Sequence, residues 1–371
     1  MKKIESGVLV SATQQSGKID GYKNIGDYIQ SLAQLSFLET ENIHYVDKER
    51  LSEFKNDGEP VRVIMNAWFM VYPEYWPPSN DIKPLLTSVH ISPTKATGML
   101  SEKGVAYLKQ HGPVGCRDMG TLEILKKSDI PCYYSGCLTL TLGEKFKPSE
   151  KTNRVIFVDP YIESIRNAEG KISFSHILTN IIFGLVEIKK VLRLYRKFKH
   201  FYCVAGKFLR IKKFIAVAGF YRSYRKKFSD NIIFTAEYIT QSEKIGKGTK
   251  YETEQEKLQL AADLVKIYTG ASLVVTSRIH CALPCLAIGT PSLFVHSNGA
   301  GHVRDPGRFG GLIDLFNVLK FKDFNLKSDD KNIPELIDQS NFDKITNKNL
   351  HLELTKSMND ICYDFFSNDG K

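Results

Sequence analysis

The hydrophobic pattern of the first 150 residues alternates between short apolar runs and stretches with helical spacing. The apolar runs are typical of buried strands, and they lie at Gly7 to Ser11, Val61 to Met65 and Leu85 to Ile91. Apolar residues three or four positions apart predict helices at Tyr28 to Leu38, Ser101 to Lys109 and Thr121 to Lys127. The stretch IPCYYSGCLTLTL, residues 130–142, predicts a turn followed by a strand.

The same alternation resumes after Arg154. Strands are predicted at Val155 to Asp159, Ile232 to Phe234, Ser272 to Ser277 and Ser292 to Val295. Helices are predicted at Glu254 to Thr269 and Ile279 to Ile288. Strands and helices that alternate with short connections indicate an α/β fold whose parallel sheets carry helices on both faces.

The length of 371 residues suggests two domains of ordinary size. We place the N-terminal domain at residues 1–150 and the C-terminal domain at 151–330, followed by a helical tail at 331–371. The pattern of the C-terminal domain is interrupted by an insertion at residues 171–229.

The insertion is strongly basic, with 15 Lys and Arg residues against one acidic residue, Glu187. Apolar residues recur at helical spacing from Leu178 to Tyr202 and predict one basic amphipathic helix; a second follows from Phe208 to Tyr221. Two interpretations are open. Residues 173–229 lie on an anionic membrane surface, which we favour, or they form a helical hairpin whose apolar stripe packs on its own domain.

Composition narrows the class of protein. The net charge of +10 comes from the insertion, because the rest of the chain balances at 36 basic against 40 acidic residues, so nucleic acid is not an expected partner. The N-terminus lacks the apolar core of a secretory signal, which predicts a cytoplasmic protein. The seven cysteines form no C-x-x-C pair and no other cluster has ligand spacing, so we expect neither a disulfide framework nor a metal site.

The stretch VVTSRIHCALP, residues 274–284, contains two polar side chains between apolar runs. Arg278 and His280 fall where a buried strand ends and a helix begins, with Thr276 or Ser277 as a plausible cap. A helix N-terminus binds anions, arginine binds carboxylates and phosphates in a bidentate way, and histidine exchanges protons near neutral pH. The alternative is a capped helix with a salt-bridged arginine and a packed histidine.

Several blocks of the chain, taken in order, resemble the polysaccharide pyruvyl transferase family. They are NIGDYIQ at 24–30, GPVGCRDMGTLEIL at 112–125 together with the stretch at 130–142, VVTSRIHCALPCLAIGTPSLFV at 274–295, and RFGGLIDL at 308–315. The resemblance implies two Rossmann-like domains that face each other across a cleft, similar to the GT-B glycosyltransferases. It also implies transfer of the enolpyruvyl group of phosphoenolpyruvate onto two hydroxyls of a sugar, with formation of a cyclic ketal and release of phosphate.

The resemblance assigns the donor to the C-terminal domain. It implies that Arg278 and His280 contact phosphoenolpyruvate together with their neighbours Ser277 and Ile279, and that His280 is the general acid. Arg117 would reach the donor from the N-terminal domain; its alternative is a salt bridge with Asp118 at the start of a helix.

The acceptor side departs from the family pattern. Asn24 and Asp27 match the family loop, and the resemblance implies that they bind the acceptor. The alternative is that they serve only the geometry of the loop. Lys23 stands where the family usually has a glycine. A family Gly-rich stretch is replaced by aromatic residues, and we expect Trp68 and Trp76 to stack on the sugar.

The expected partners follow from the resemblance. The acceptor would be galactose-like and linked to a polyprenyl diphosphate, as for bacterial surface polysaccharides, and the enzyme would lie in the cytoplasm at the inner face of the cell membrane. Phosphoenolpyruvate would be a co-substrate, with no cofactor. Two other readings remain open: a GT-B glycosyltransferase that uses a nucleotide sugar, and a non-catalytic basic module that binds membrane or nucleic acid.

Overall fold

The computed structural model describes residues 5–12, 22–38, 42–69, 72–93, 96–150, 152–163, 171–198, 209–297 and 307–367. It is a mixed α/β structure with parallel sheets, as predicted. The strands are β1 Ser6–Val10, β2 Tyr22–Asn24, β3 Ile43–Asp47, β4 Val61–Ile64, β5 Ile82–Leu85, β6 Val114–Cys116, β7 Cys132–Tyr134, β8 Thr152–Val158, β9 Glu237–Ile239, β10 Ser242–Lys244, β11 Ala271–Thr276, β12 Ser292–His296, β13 Asn317–Lys322 and β14 Asn325–Lys327. The α-helices are α1 Gly26–Gln34, α2 Ala96–Met99, α3 Glu102–His111, α4 Met119–Lys126, α5 Phe174–Val186, α6 Ile188–Lys197, α7 Leu209–Tyr224, α8 Asp230–Thr235, α9 Glu254–Thr269, α10 Ile279–Ala287 and α11 Leu352–Ser367.

The first sheet has the strand order β3-β1-β4-β5, and all of its pairings are parallel. The second sheet has the order β14-β13-β12-β11-β8-β9, in which β14 is the antiparallel edge strand. Every residue of β11 is buried, because helices and neighbouring strands cover it on all sides. Parallel strands end at one edge of their sheet, so the residues that follow β11 and β8 come together there.

The two sheets share one hydrophobic core. Val8 and Val10 of β1 belong to the same buried cluster as Val274 of β11, with α1 and α10 between them. Helix α11 returns to the first sheet, where the Tyr363 and Phe37 rings lie 5.0 Å apart. The predicted boundary at residue 150 falls between the strands of the two sheets, yet buried packing is continuous across it. Within the described part of the tail at 331–367, α11 is the one α-helix.

Two strand predictions are wrong. Ile232 to Phe234 form part of helix α8, because the Ser229 hydroxyl accepts the Ile232 N–H and caps a helix there. The strand predicted from Leu85 to Ile91 ends at Leu85, because Ser88 turns the chain with a φ of 55°. Short apolar runs are compatible with either structure, and local capping and turns decide between them.

The stretch at 130–142 forms its elements in the opposite order from the prediction. The strand is β7, and the alternating residues after it form a 3₁₀ helix, Leu138–Glu144. All residues from 138 to 142 are buried in the shared core. An alternating pattern indicates a strand with one solvated face. Here the leucines and the threonines between them are all covered by α1, α10 and α11.

The first of the two helices predicted in the basic insertion is not continuous, and the second lies where the structure has α7. Glu187 leaves the helical conformation with φ −100° and ψ 31°, which separates α5 from α6. Tyr202 and Phe208 lie outside the described residues. Helix α5 turns Asn180 and Gly184 towards α7, where Gly184 is close to the Phe214 ring.

The predicted apolar stripe of α5 faces solvent. Leu178, Ile182 and Leu185 of this stripe are exposed. Phe174 and Val186, which were not part of the prediction, extend the apolar surface, and these five residues are between 53% and 83% exposed. The alternative in which this stripe packs on its own domain is therefore wrong for α5. In the described part of the chain, no helix combines the length and the apolar character needed to cross a bilayer.

Candidate functional site

The site begins at the carboxyl edge of the second sheet, between β11 and α10. The Thr276 hydroxyl donates to the Val158 carbonyl at 2.7 Å and accepts the Arg278 N–H at 3.0 Å. The Ser277 hydroxyl donates to the Asp159 carbonyl at 2.6 Å. The first residue outside α10 is Arg278, and no side chain caps the helix. The prediction that Thr276 or Ser277 caps α10 is therefore wrong, because both hydroxyls bind the neighbouring strand.

Arg278 is held by a carboxylate of the protein. Its Nε donates to Asp159 Oδ2 at 3.0 Å, and the Asp159 side chain is 2% exposed. Arg278 therefore forms a salt bridge, as in the alternative interpretation of the sequence. The Arg278 side chain remains 26% exposed, so the salt bridge does not withdraw it from solvent.

His280 lies in an irregular first turn of α10. Pro284, four residues later, has no N–H to donate to the His280 carbonyl, and its ring crowds that carbonyl. His280 accordingly has a ψ of 17°, outside the helical range. Its carbonyl accepts a hydrogen bond from Gln241 Nε2 at 3.0 Å instead.

The imidazole of His280 is buried in a cationic environment. Burial, together with the charges of Arg117, Arg308 and Lys48, lowers the pKa of His280 to about 3, although Asp27 acts in the opposite direction. Its Nε2 is buried and has no hydrogen-bond partner in the described part of the chain. His280 is therefore neutral at pH 7 in this state, and an anion placed beside it would raise its pKa.

Arg117 follows β6 and precedes α4. Asp118 caps α4 by accepting the Thr121 N–H at 2.9 Å, and its other oxygen lies 2.7 Å from His90 Nδ1. Arg117 Nε lies 3.5 Å from Asp118, but neither Nε nor Nη2 forms a hydrogen bond with any described residue, although Arg117 is only 3% exposed. Asp118 thus caps α4 but does not accept a hydrogen bond from Arg117. A buried arginine whose N–H groups lack acceptors is suited to bind an anion.

The loop before α1 reaches the same place. Asn24 Oδ1 accepts the Gly26 N–H at 3.1 Å, which shapes the turn. A Cβ added to Gly26 would lie 3.2 Å from His280 Cβ, so the starts of α1 and α10 touch. The Asp27 carboxylate pairs with Lys48 Nζ at 3.1 Å. Burial would raise the pKa of Asp27, but Lys48, His280 and Arg308 outweigh it and hold that pKa below its ordinary value.

The structure does not bring every predicted residue to this place. The side chain of Ile279 belongs to the shared core and is 5% exposed. Trp76 is 6% exposed and packs against the Phe69 and Tyr107 rings, so it has no open face for a sugar, and its acceptor assignment is not retained. Trp68 bridges to His90 through its backbone and keeps partial exposure.

Four residues near the site were missed by the sequence reasoning. They are Lys48, Asp159, Gln241 and Arg308. A signal existed for the first two, because each comes directly after a strand of a parallel sheet, where polar residues gather. Arg308 stands in a loop held against α4, since the Met119 N–H donates to the Gly310 carbonyl at 3.0 Å. Gln241 had no signal in the sequence.

Glu49, next to Lys48, is a further buried carboxyl group of this region. It is 2% exposed, and its nearest carboxylate oxygen lies 4.0 Å from Lys48 Nζ. Burial raises the pKa of Glu49 to about 7 despite the nearby lysine. Among the described residues, no three His, Cys, Asp or Glu side chains are grouped so that they could hold a metal ion.

The model of the polysaccharide pyruvyl transferase family matches residues 24–298, well over half of the chain. This range contains the loop before α1, Arg117 and the β11–α10 junction. No curated protein and no solved structure matches the chain. The match over most of the chain, with the same blocks gathered around His280, shows that the chain belongs to the polysaccharide pyruvyl transferase family.

Proposed function

We propose that the protein transfers the enolpyruvyl group of phosphoenolpyruvate onto two hydroxyls of one sugar and releases phosphate. The observation that carries this proposal is a pair of buried groups, Arg117 before α4 and His280 in the first turn of α10. Among the described residues, two nitrogens of Arg117 and Nε2 of His280 have no hydrogen-bond partner. Phosphoenolpyruvate has about three negative charges at neutral pH, counting its carboxylate and a phosphate of about −2. A trianion would satisfy donors that are otherwise costly to bury.

Binding of the donor would also prepare His280 for its role. Without the donor the imidazole is neutral, because burial and the charges of Arg117, Arg308 and Lys48 outweigh the opposing effect of Asp27. A phosphate and a carboxylate beside it favour the imidazolium, so the pKa of His280 rises when the donor binds. The protein thereby obtains a general acid at the moment when the substrate needs one.

The reaction balances without an oxidant or a cofactor. One sugar hydroxyl adds to C2 of the enolpyruvyl group, while its methylene carbon takes a proton from His280 and becomes a methyl group. The proton that this hydroxyl loses returns to His280, so the addition leaves the imidazolium as it was. The second hydroxyl displaces phosphate at the same carbon, and the departing phosphate takes the equivalent of its proton. Asp27 and His280 interact electrostatically, since each shifts the pKa of the other. Asp27 is therefore a candidate to orient the sugar hydroxyls as a carboxylate.

The test is turnover with purified protein, phosphoenolpyruvate and a galactoside acceptor, including a polyprenyl-diphosphate-linked one. We expect release of phosphate together with a gain of one pyruvyl unit in the mass of the sugar. A control without acceptor measures hydrolysis of the donor. Transfer from a nucleotide sugar, with none from phosphoenolpyruvate, would reject the proposal in favour of a GT-B glycosyltransferase.

We also propose that the two parallel sheets belong to two Rossmann-like domains of GT-B type. The C-terminal one would hold the donor through Arg278 and His280, and the N-terminal one would hold a galactose-like acceptor near Asn24 and Asp27. The contact between Gly26 and His280 supports this division, because it places both loops at one point. No cofactor has a role in this chemistry.

We propose that the exposed face of α5 docks on the inner face of the cell membrane, beside a lipid-linked acceptor. This face contains no charged side chain from Phe174 to Val186 and has five exposed apolar residues. Helix α6 follows it with exposed Lys189 and Arg193. These two residues line an open cavity of about 400 Å³ together with Asn231, Phe234 and the ion pair of Lys190 with Asp230. An apolar surface beside basic residues is complementary to a bilayer with anionic headgroups.

The docking proposal predicts that Leu178→Ser with Ile182→Ser weakens binding to anionic phosphatidylglycerol vesicles at least about tenfold, since burial of each side chain stabilises by about 1.5 to 3 kcal/mol. Vesicle flotation measures it. Leu336→Ser with Leu350→Ser is the matched control, because those residues are 46% and 61% exposed elsewhere. Binding should also weaken with salt and be weaker to neutral vesicles. Equal vesicle binding by both double variants would contradict the docking proposal.

A further inference from the structure

Gln241, between β9 and β10, contacts three of the parts that meet at the site. It is 1% exposed. Its backbone N–H donates to Asp159 Oδ2 at 3.0 Å, and its carbonyl accepts the Ile25 N–H at 2.7 Å. Its side-chain Nε2 donates to the His280 carbonyl at 3.0 Å and lies 3.2 Å from the Tyr268 hydroxyl. One residue therefore connects the loop before α1, the partner of Arg278, and the first turn of α10.

The contact with His280 exists because of Pro284. In a regular helix the N–H of residue 284 would bind the carbonyl of residue 280, and proline removes that donor. The His280 carbonyl would then be buried without a partner, which is unfavourable. Gln241 Nε2 supplies the missing hydrogen bond from outside the helix, and it holds His280 at its non-helical ψ of 17°.

The backbone of Gln241 acts on Arg278, the other residue of this loop that is proposed to bind phosphoenolpyruvate. Asp159 Oδ2 accepts both the Gln241 N–H and Arg278 Nε, each at 3.0 Å. The Gln241 backbone thus fixes the carboxylate that orients Arg278, while its side chain fixes the backbone that carries the imidazole.

We propose that Gln241 is a positioning residue, which sets the direction of the His280 imidazole relative to the bound donor. This inference rests on the proposed function for its chemical consequence, although its structural part does not. Gln241 touches no reacting atom in this arrangement. It acts through the His280 carbonyl, which Pro284 leaves open.

The first experiment replaces Gln241 by leucine, which has a similar volume and no donor. We expect kcat to fall by about 10- to 100-fold, because displacement of a catalytic group by about 1 Å has an effect of that size. The affinity for phosphoenolpyruvate should change by less than about threefold, since Arg117 is untouched and the Gln241 backbone still holds Asp159. Gln259→Leu on α9 is the matched control, because the Gln259 side chain donates to Asp263 at the surface, and this variant should leave kcat unchanged.

The second experiment separates positioning from simple structural support. Pro284→Ala restores an N–H that can donate to the His280 carbonyl within the helix. The double variant Q241L/P284A should recover the thermal stability lost in Q241L, but not its kcat, because a regular first turn moves His280 away from its native ψ. If Q241L alone does not fold, the kcat of the double variant compared with that of the wild type tests the same prediction.

Two results would overturn the inference: wild-type kcat in Q241L, or recovery of both stability and kcat in the double variant. Failure of the proposed function is distinguishable, because wild-type protein would then not transfer the enolpyruvyl group at all. In that case the NMR signal of His280, assigned by its loss in His280→Ala, still tests the structural part. It should titrate nearer its ordinary pKa in Q241L, and an unchanged titration would reject the positioning role.

Discussion

Replacement of His280 by alanine is expected to reduce kcat about 10²- to 10⁴-fold, the range over which a positioned general acid contributes. The dissociation constant of phosphoenolpyruvate should rise only modestly, because the buried guanidinium of Arg117 remains. Phosphate release coupled to the mass gain of the sugar measures turnover, and calorimetry with the unreactive enzyme measures donor binding.

The matched control is His111→Ala. His111 ends α3, is partly exposed and contacts the Tyr107 ring, so its loss should leave kcat unchanged. The pH profile gives a second readout. Wild-type kcat should fall as pH rises through the pKa of donor-bound His280, because the imidazolium is the acid, and the alanine variant should lack that limb. Retention of the limb in His280→Ala would assign the proton to another group.

Replacement of Arg117 by methionine is expected to weaken binding of phosphoenolpyruvate by about 30- to 1,000-fold, since the variant lacks a buried charge-assisted contact to a trianion. Stability should fall only in part, because the variant loses the buried ion pair between Arg117 Nε and Asp118 at 3.5 Å but also loses a buried cation whose Nε and Nη2 have no hydrogen bonds among the described residues. Asp118 keeps its contacts with His90 and Thr121. Calorimetric titration and thermal melting measure the two effects.

The control for this variant is Arg50→Met, because Arg50 is exposed and pairs with Glu53 at the surface. It should change neither donor affinity nor stability by more than a small amount. A large loss of stability in Arg117→Met with unchanged donor affinity would mean that Arg117 is a structural residue, as in the salt-bridge interpretation.

The alternation of strands and helices was enough to predict the α/β class, and it placed α9 at Glu254 to Thr269, where the structure has it. It also placed Arg278 and His280 at the junction of β11 and α10. These features depend on neighbours in the chain, such as apolar spacing and the length of a buried run. Ile232 to Phe234 shows the limit of such reasoning, because three apolar residues fit a strand or a helix equally well.

The partners of the site residues could not be predicted, because they come from distant parts of the chain. Asp159 binds Arg278, which lies 119 positions later in the chain, and Gln241, between β9 and β10, binds the His280 carbonyl. The solvent-facing side of α5 depended likewise on packing. The helical period was readable, but the contact of Gly184 with α7 decided that Asn180 faces inward and the apolar stripe outward.

The sequence by itself determined the order of strands and helices, the basic segment and the residues that resemble the family, because each is written in local spacing and composition. Tertiary structure alone decided that Arg117 is buried with open donors, that Pro284 leaves a carbonyl for Gln241, and that His280 is neutral. The physical reason is the same in each case. Burial and hydrogen bonding depend on which distant groups the sheets bring within a few ångströms, and these distances exist only after folding.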